Sequence, residues 1–174
     1  MESRKINSST SAFSENSTFS EEKIRLLTES VLRAAEQRRM TLKQAKELIE
    51  TGEKKAAEIG VPMVIAVVDE GGNLTALHRM DGSLLASLSI SQSKAFTALA
   101  LRAPTGESAQ TILPGQPLYG LQNTHPGQFC LFGGGFPLMA DGCCIGAIGV
   151  SGGTVEQDTA VAKAIVEYFL KTTI

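Results

Sequence analysis

Residues 141–158 read DGCCIGAIGVSGGTVEQD, and the rest of the chain has to be arranged around them. Asp141-Gly142 is a tight-turn signal, because a type I′ hairpin turn needs positive φ at both central positions. The strand that follows carries Gly146 and Gly149, where a missing side chain lets another backbone or a ligand come close. Ser151-Gly152-Gly153 ends that strand. Thr154 and Gln157 then have the spacing of a capping box, so a helix starts at residue 155. Strand, glycine-rich break and capped helix in succession make a place for a ligand or a second subunit.

Working backwards, Phe129–Phe132 and Phe136–Ala140 read as two further strands, which form a three-stranded meander with Cys143–Ser151. Met63–Asp69 is a continuous apolar, β-branched run too short for a helix. Residues 70–73 turn the chain, and Leu74–Arg79 returns as its hairpin partner. Thr41 and Gln44 form a second capping box. The helix it opens carries Ala45, Leu48, Ile49, Ala56 and Ile59 at helical spacing and stops at Gly60 and Pro62. A helix over 84–101 is predicted to bury Leu84, Leu88, Ala95, Phe96 and Leu99, with Asp81 as its cap. The last helix, 155–171, buries Val161, Ala164, Ile165, Tyr168 and Phe169. This order predicts an α+β domain over residues 40–174, one antiparallel five-stranded sheet packed by helices.

Residues 1–19 are rich in Ser and Thr and almost free of apolar side chains, which predicts a disordered leader. Ser20 has the features of an N-cap, with Glu21 and Glu22 well placed against the helix dipole. Ile24, Leu27, Val31 and Ala35 give residues 20–39 one apolar stripe. That helix is either an ordinary packing element or an address for the shell of a bacterial microcompartment.

Composition narrows the function classes. The chain has 174 residues and a formal net charge of -2, which argues against a nucleic-acid partner. No apolar run approaches the ~20 residues of a membrane span, and three cysteines suit a reducing compartment. Adjacent Cys143 and Cys144 point to opposite faces of a strand and make a poor metal pair. The expectation is a cytoplasmic protein without a membrane partner. Between Ser108 and Gly153 the single charged residue is Asp141. A surface so poor in charge predicts burial against other subunits, hence a homo-oligomer.

Five ordered blocks carry a resemblance: VVDEGGNLTALHRMDGS (67–83), SQSKAFTALA (91–100), APT (103–105), GGFPL (134–138) and the 141–158 stretch. Together they resemble the GlcG/HbpS family of haem-binding or haem-degrading-like domains, which includes the C-terminal domain of PduO proteins. The resemblance covers about residues 41–171. It implies a profilin-like fold, homo-oligomers and, for some members, haem or another tetrapyrrole as ligand. Some haem-binding members place an iron ligand on the first domain helix; residues 42–59 here contain no histidine.

The candidate site residues follow. His78 is one of two histidines and offers an imidazole for haem iron; it also reads as an ordinary strand histidine. Arg79 beside it would pair with a propionate or a small carboxylate. His125 lies in a loop and reads as a surface residue, and Met80 as a core residue. A second site has Arg79 and Lys94 as a basic pair, with Asp81, Ser91, Ser151, Gly152 and nearby backbone donors, and suits a small carboxylate or aldehyde. It would make the protein an accessory of a catabolic pathway. A purely structural ion pair of Asp81 with Arg79 or Lys94 accounts for the same residues. No nucleophile triad or nucleotide loop is present in recognisable context.

Overall fold

Both capping boxes form. Thr41 Oγ1 accepts from Gln44 N at 3.2 Å while Gln44 Oε1 accepts from Thr41 N. Thr154 and Gln157 make the same reciprocal pair at 3.3 and 2.9 Å. These contacts satisfy backbone donors that an α-helix leaves orphaned at its start. The structure is a computed structural model that describes residues 20–37 and 39–173. The leader expected over 1–19 lies outside the described residues.

The chain divides into two units, with the boundary after Gln37. In the first, helix α1 spans Glu21–Gln37 and Ser20 Oγ accepts from Lys23 N at 3.3 Å, as an N-cap does. The second holds α2 (Leu42–Glu58), β1 (Val64–Asp69), β2 (Leu74–Arg79), α3 (Ser87–Leu101), the short α4 (Thr105–Ser108), β3 (Gly135–Ala140), β4 (Cys143–Ser151) and α5 (Val155–Thr173). Among the described residues no helix is long and apolar enough to cross a membrane.

The sheet has four strands in the order β2-β1-β4-β3, all pairs antiparallel. The α+β class stands, but the expected fifth strand does not form. Phe129–Phe132 runs as irregular chain because its polar backbone groups are taken by side chains elsewhere. Cys130 N donates to Thr97 Oγ1 at 2.8 Å, and Phe132 O accepts from Thr105 Oγ1 at 2.7 Å. Those two bonds hold the segment against α3 and α4 instead of in a ladder.

Helices cover both faces. On one, α2 and α5 pack over Ile65, Val67, Ile148 and Val150, with Leu48, Ile49, Ile165 and Phe169 in the same buried cluster. On the other, α3 lies against Val68 and Ala147 through Ala95 and Ala98. The buried side of α3 is Ser87, Ser91, Lys94, Ala95, Thr97 and Ala98, not the expected Leu-rich stripe. Leu84 lies before the helix and is exposed, and Asp81 does not cap it, since the cap position is Ala86. The reason is spacing. Small side chains on α3 meet Ala147 and Gly149 on β4, so the helix sits closer than leucines would allow. A Cβ at Gly149 would run into the carbonyl oxygen of Ser91 and lie 2.6 Å from Ala95 N.

The β1–β2 turn is held by one carboxylate. Asp69 Oδ1 accepts from Gly71 N and Asn73 N, both at 2.9 Å, and from Asn73 Nδ2. Partial burial works to raise this carboxyl's pKa, but the Asn73 and glycine hydrogen bonds outweigh it and hold the group below its ordinary value.

Two outcomes are expected. Gly149→Ala should destabilise the domain by about 3 kcal/mol or more, read by urea denaturation, because the clash is with helix backbone and cannot be relieved by a rotamer change. Because the folded pKa of Asp69 lies below the unfolded one, its contribution is complete above the unfolded value of roughly 4 and is lost as pH falls through the folded value. The difference in melting temperature between the parent protein and Asp69→Ala should therefore shrink as pH is lowered below about 4.

Candidate functional site

Lys94 is fully buried in the middle of α3. Its Nζ donates to Asp158 Oδ2 at 2.7 Å and to Val150 O at 2.8 Å. The ammonium also lies 4.7 Å from the centroid of the Phe132 ring, a cation–π contact. Asp158, in the first turn of α5, is equally sequestered, and its Oδ1 accepts from Gly153 N at 2.9 Å. Each charge is thus paired and hydrogen-bonded, the condition under which buried ions are tolerated. Gly134 is required beside them: its φ is +115°, and a Cβ there would meet Lys94 Nζ at 2.8 Å.

This geometry bears directly on the carboxylate site read from the sequence. Lys94 and a backbone donor of the 151–153 segment do converge on a carboxylate, and that carboxylate is the chain's own Asp158. Ser151 Oγ donates to Ser87 Oγ at 3.2 Å, and Ser91 Oγ turns back to Leu88 O at 3.3 Å. The Gly152 backbone packs against Pro62 and Met63. Arg79 is exposed and donates to Ser83 O at 3.1 Å, and Asp81 is exposed in the turn after β2. Of the six residues, Lys94, Ser91 and Ser151 are buried with separate partners, Gly152 is half-buried, and Arg79 and Asp81 are exposed.

His78 lies on β2, the edge strand. Its Nδ1 is 2.9 Å from Glu53 Oε1 of α2, and its side chain is 41 % exposed. Carboxylate contact at one ring nitrogen is how ligating imidazoles are oriented, with the other nitrogen facing the metal. Arg79 follows immediately and reaches toward the start of α3, on the opposite face of the strand. His78 and Arg79 therefore do not face one ligand together. Met80 is committed to the core, its sulfur accepting from Met63 N at 3.3 Å. Among the described residues no group of three or more His, Cys, Asp or Glu gathers to hold a metal ion.

A shallow groove lies elsewhere in this domain. A depression of about 190 Å³ opens between the β1–β2 hairpin, α3 and the loop before β3, lined by Val68, Gly72, Leu74, Gln92, Ser93, Phe96, Gly127 and Gln128. Phe96, one of the lining residues, also belongs to a ring cluster with the exposed His125 and with Phe129, the His125 and Phe129 centroids lying 4.8 Å apart. His125 is exposed, as the sequence reading expected; Phe96 is half-buried rather than a core residue, and the groove was not foreseen. Its walls come from three separated segments, so no local spacing announces it. Cys130, next to Phe129 in sequence, is buried. Burial pushes its thiol up to about 11, against the opposing pull of the Lys94 charge.

Breaking the interior pair should be costly. Lys94→Met or Asp158→Asn alone is expected to lose about 3–5 kcal/mol in urea denaturation, because each leaves an uncompensated or unsatisfied buried partner. The double change Lys94→Met/Asp158→Leu should recover much of that loss, since no charge then remains buried.

Comparison with known proteins agrees with the resemblance read from the sequence. An uncharacterised 15.0 kDa protein from the dhaT-dhaS intergenic region of Citrobacter freundii is 47% identical over 130 residues, 75% of this chain and 92% of that protein. The crystal structure of Klebsiella pneumoniae ORFY superposes with a TM-score of 0.74 at 44% identity, over 75% of this chain and 90% of that one. The PduOC:haem complex superposes at 0.72 with 36% identity, over 74% and 94%. The model of the family described as "Haem degrading protein HbpS-like" matches residues 40–167, so nearly all of the second unit is accounted for and the chain belongs to the HbpS-like family.

Proposed function

We propose that this protein binds haem or a closely related tetrapyrrole, as an oligomeric protein of the bacterial cytoplasm. The observation that carries the reading is the 36% identity, over almost the whole of the domain, to a relative crystallised as a haem complex. The residues of this chain fit such a group. Two imidazoles, His78 and His125, offer a nitrogen to iron, and Val68, Leu74 and Phe96 give one groove an apolar wall, the rest of its lining being Gln92, Ser93, Gln128 and two glycines. A macrocycle is a largely apolar disc and needs a wall of this kind as much as it needs a ligand atom. The small-carboxylate reading has weaker support, because Lys94 and Gly153 N already hold Asp158.

Self-association belongs to the same proposal. Leu113, Leu118, Tyr119, Phe132 and Met139 are exposed large apolar side chains within the charge-poor segment 108–153. A second copy of the chain is the partner that would cover such a surface. Helix α1, amphipathic along its own length, supports an attachment role toward a microcompartment shell; the same stripe would serve a packing role equally.

Hemin titration tests the reading. The expected result is a saturable Soret band, distinct from that of free hemin, on a particle whose mass by light scattering exceeds that of a monomer. Hemin that leaves the protein's spectrum additive with its own would overturn the haem reading, and a monomer at micromolar concentration would overturn the oligomer.

A further inference from the structure

We infer that two copies of this chain pack through the outer face of α3 in antiparallel order, each bringing Leu85 to the mouth of the other's groove. The pairing rests on the self-association reading above and gives it a surface. Leu85, Ser89, Gln92, Phe96 and Leu99 recur three and four residues apart, which puts them along one side of the helix. Ser91, Lys94, Ala95 and Ala98 take the opposite side and are buried. Leu85 precedes the first residue of α3 but belongs to its opening turn, its carbonyl oxygen accepting from Leu88 N at 3.2 Å. It is 77 % exposed, more than any other large apolar side chain among the described residues, and Ser89 is exposed as well. Lys94 is the only charged residue of α3, and it is turned inward. The outer face therefore carries no charge to keep it solvated, as in the core of a protein–protein interface.

A second copy is the partner that fits, because the two ends of this face complement each other. At the start Leu85 stands exposed. Toward the finish the β1–β2 hairpin and the 127–128 loop border Gln92, Ser93 and Phe96 and form the groove. An exposed apolar side chain and a depression at opposite ends of one helix face are what a two-fold axis pairs, since each copy then uses both. The groove, about 190 Å³, is smaller than the roughly 300–1,000 Å³ of pockets that enclose a small molecule. Leu85 of a second copy at its mouth adds an apolar wall that the half-polar lining lacks. The charges agree with antiparallel order. Arg79, before α3, is turned to Ser83 O, and Glu70, in the hairpin, pairs with Arg39 at 3.7 Å. That leaves Asp81 before the helix and Arg102 after it, both exposed and neither ion-paired among the described residues. Antiparallel packing brings an opposite charge to each and sets each helix N-terminus beside the other's C-terminus.

The test uses the full chain, with mass followed by sedimentation velocity over a concentration series. Leu85→Glu should raise the dissociation constant of the pair about thirtyfold or more, as loss of an apolar anchor does. Asp81→Arg and Arg102→Asp should each raise it by about tenfold, and the two together should restore it. Ser89→Cys, near the two-fold axis, should give a dimer with a short bifunctional maleimide beyond any that the parent's three cysteines form. All four positions are exposed, so circular dichroism melting of each variant should match the parent. An unchanged mass for Leu85→Glu, a double charge variant no better than either single, or no added cross-link at Ser89→Cys overturns this pairing and leaves self-association through another surface intact. A parent that stays a monomer at micromolar concentration removes the self-association reading itself, and the pairing with it.

Discussion

The ion pair between Lys94 and Asp158 ties together parts of the domain that are far apart in sequence. Lys94 belongs to the helix on one face of the sheet and Asp158 to a helix on the other, and the bond runs past the end of β4, whose Val150 carbonyl it also engages. Two buried charges are expensive to desolvate, so the arrangement holds only while every partner is in place. Phe132 shields the ammonium, Gly153 N satisfies the second carboxylate oxygen, and Gly134 leaves room for both. Of the glycines before β3 and after β4, Gly134 is required by close approach to the charge pair and Gly153 contributes its N–H to it, whereas Gly133 and Gly152 make room for α5 and for Pro62 and Met63.

Close approach is also how α3 meets the sheet. Its Ser and Ala face lies against Ala147 and Gly149, so contact is made largely through backbone and small side chains. The opposite face is built with larger side chains from α2 and α5. With its sheet-facing side small, α3 turns its larger side chains, Phe96 and Leu99, away from the core centre. Phe96 then becomes available as the wall of a groove. The same packing choice that brings the helix close thus leaves Phe96 at the surface of the domain, half-buried.

Much of the fold could be read directly from residues. The Asp141-Gly142 turn forms with positive φ at both positions, and β3 and β4 pair across it. Both capping boxes form, and the continuous run at 63–69 supplies β1 at the centre of the sheet, covered on both faces. Each of these depends on neighbours within a few residues in sequence. The errors are of another kind. Phe129–Phe132 has the composition of a strand, but Thr97 and Thr105, both distant in sequence, claim its backbone groups. The 84–101 helix was assigned a leucine face, although the size of the residues opposite it on β4 determines which face is buried.

Sequence alone therefore determined four of the five expected strands and the order of the main elements, because turns, caps and hydrophobic periods are short-range properties written locally, and its ordered motif blocks determined the family. It also flagged Lys94 and the backbone donors of the 151–153 segment as belonging together. Only the tertiary structure decided what they bind. Asp158 was visible at the end of the quoted stretch, but its role depends on α3 and α5 meeting across β4, which no spacing along the chain specifies. For the same reason His78 and Arg79, adjacent in sequence, face different ways, since strand neighbours alternate. Phe96, the 127–128 loop and the hairpin, well separated in sequence, come to line one groove, because packing of the helix and loop on the sheet sets distances that local sequence does not encode.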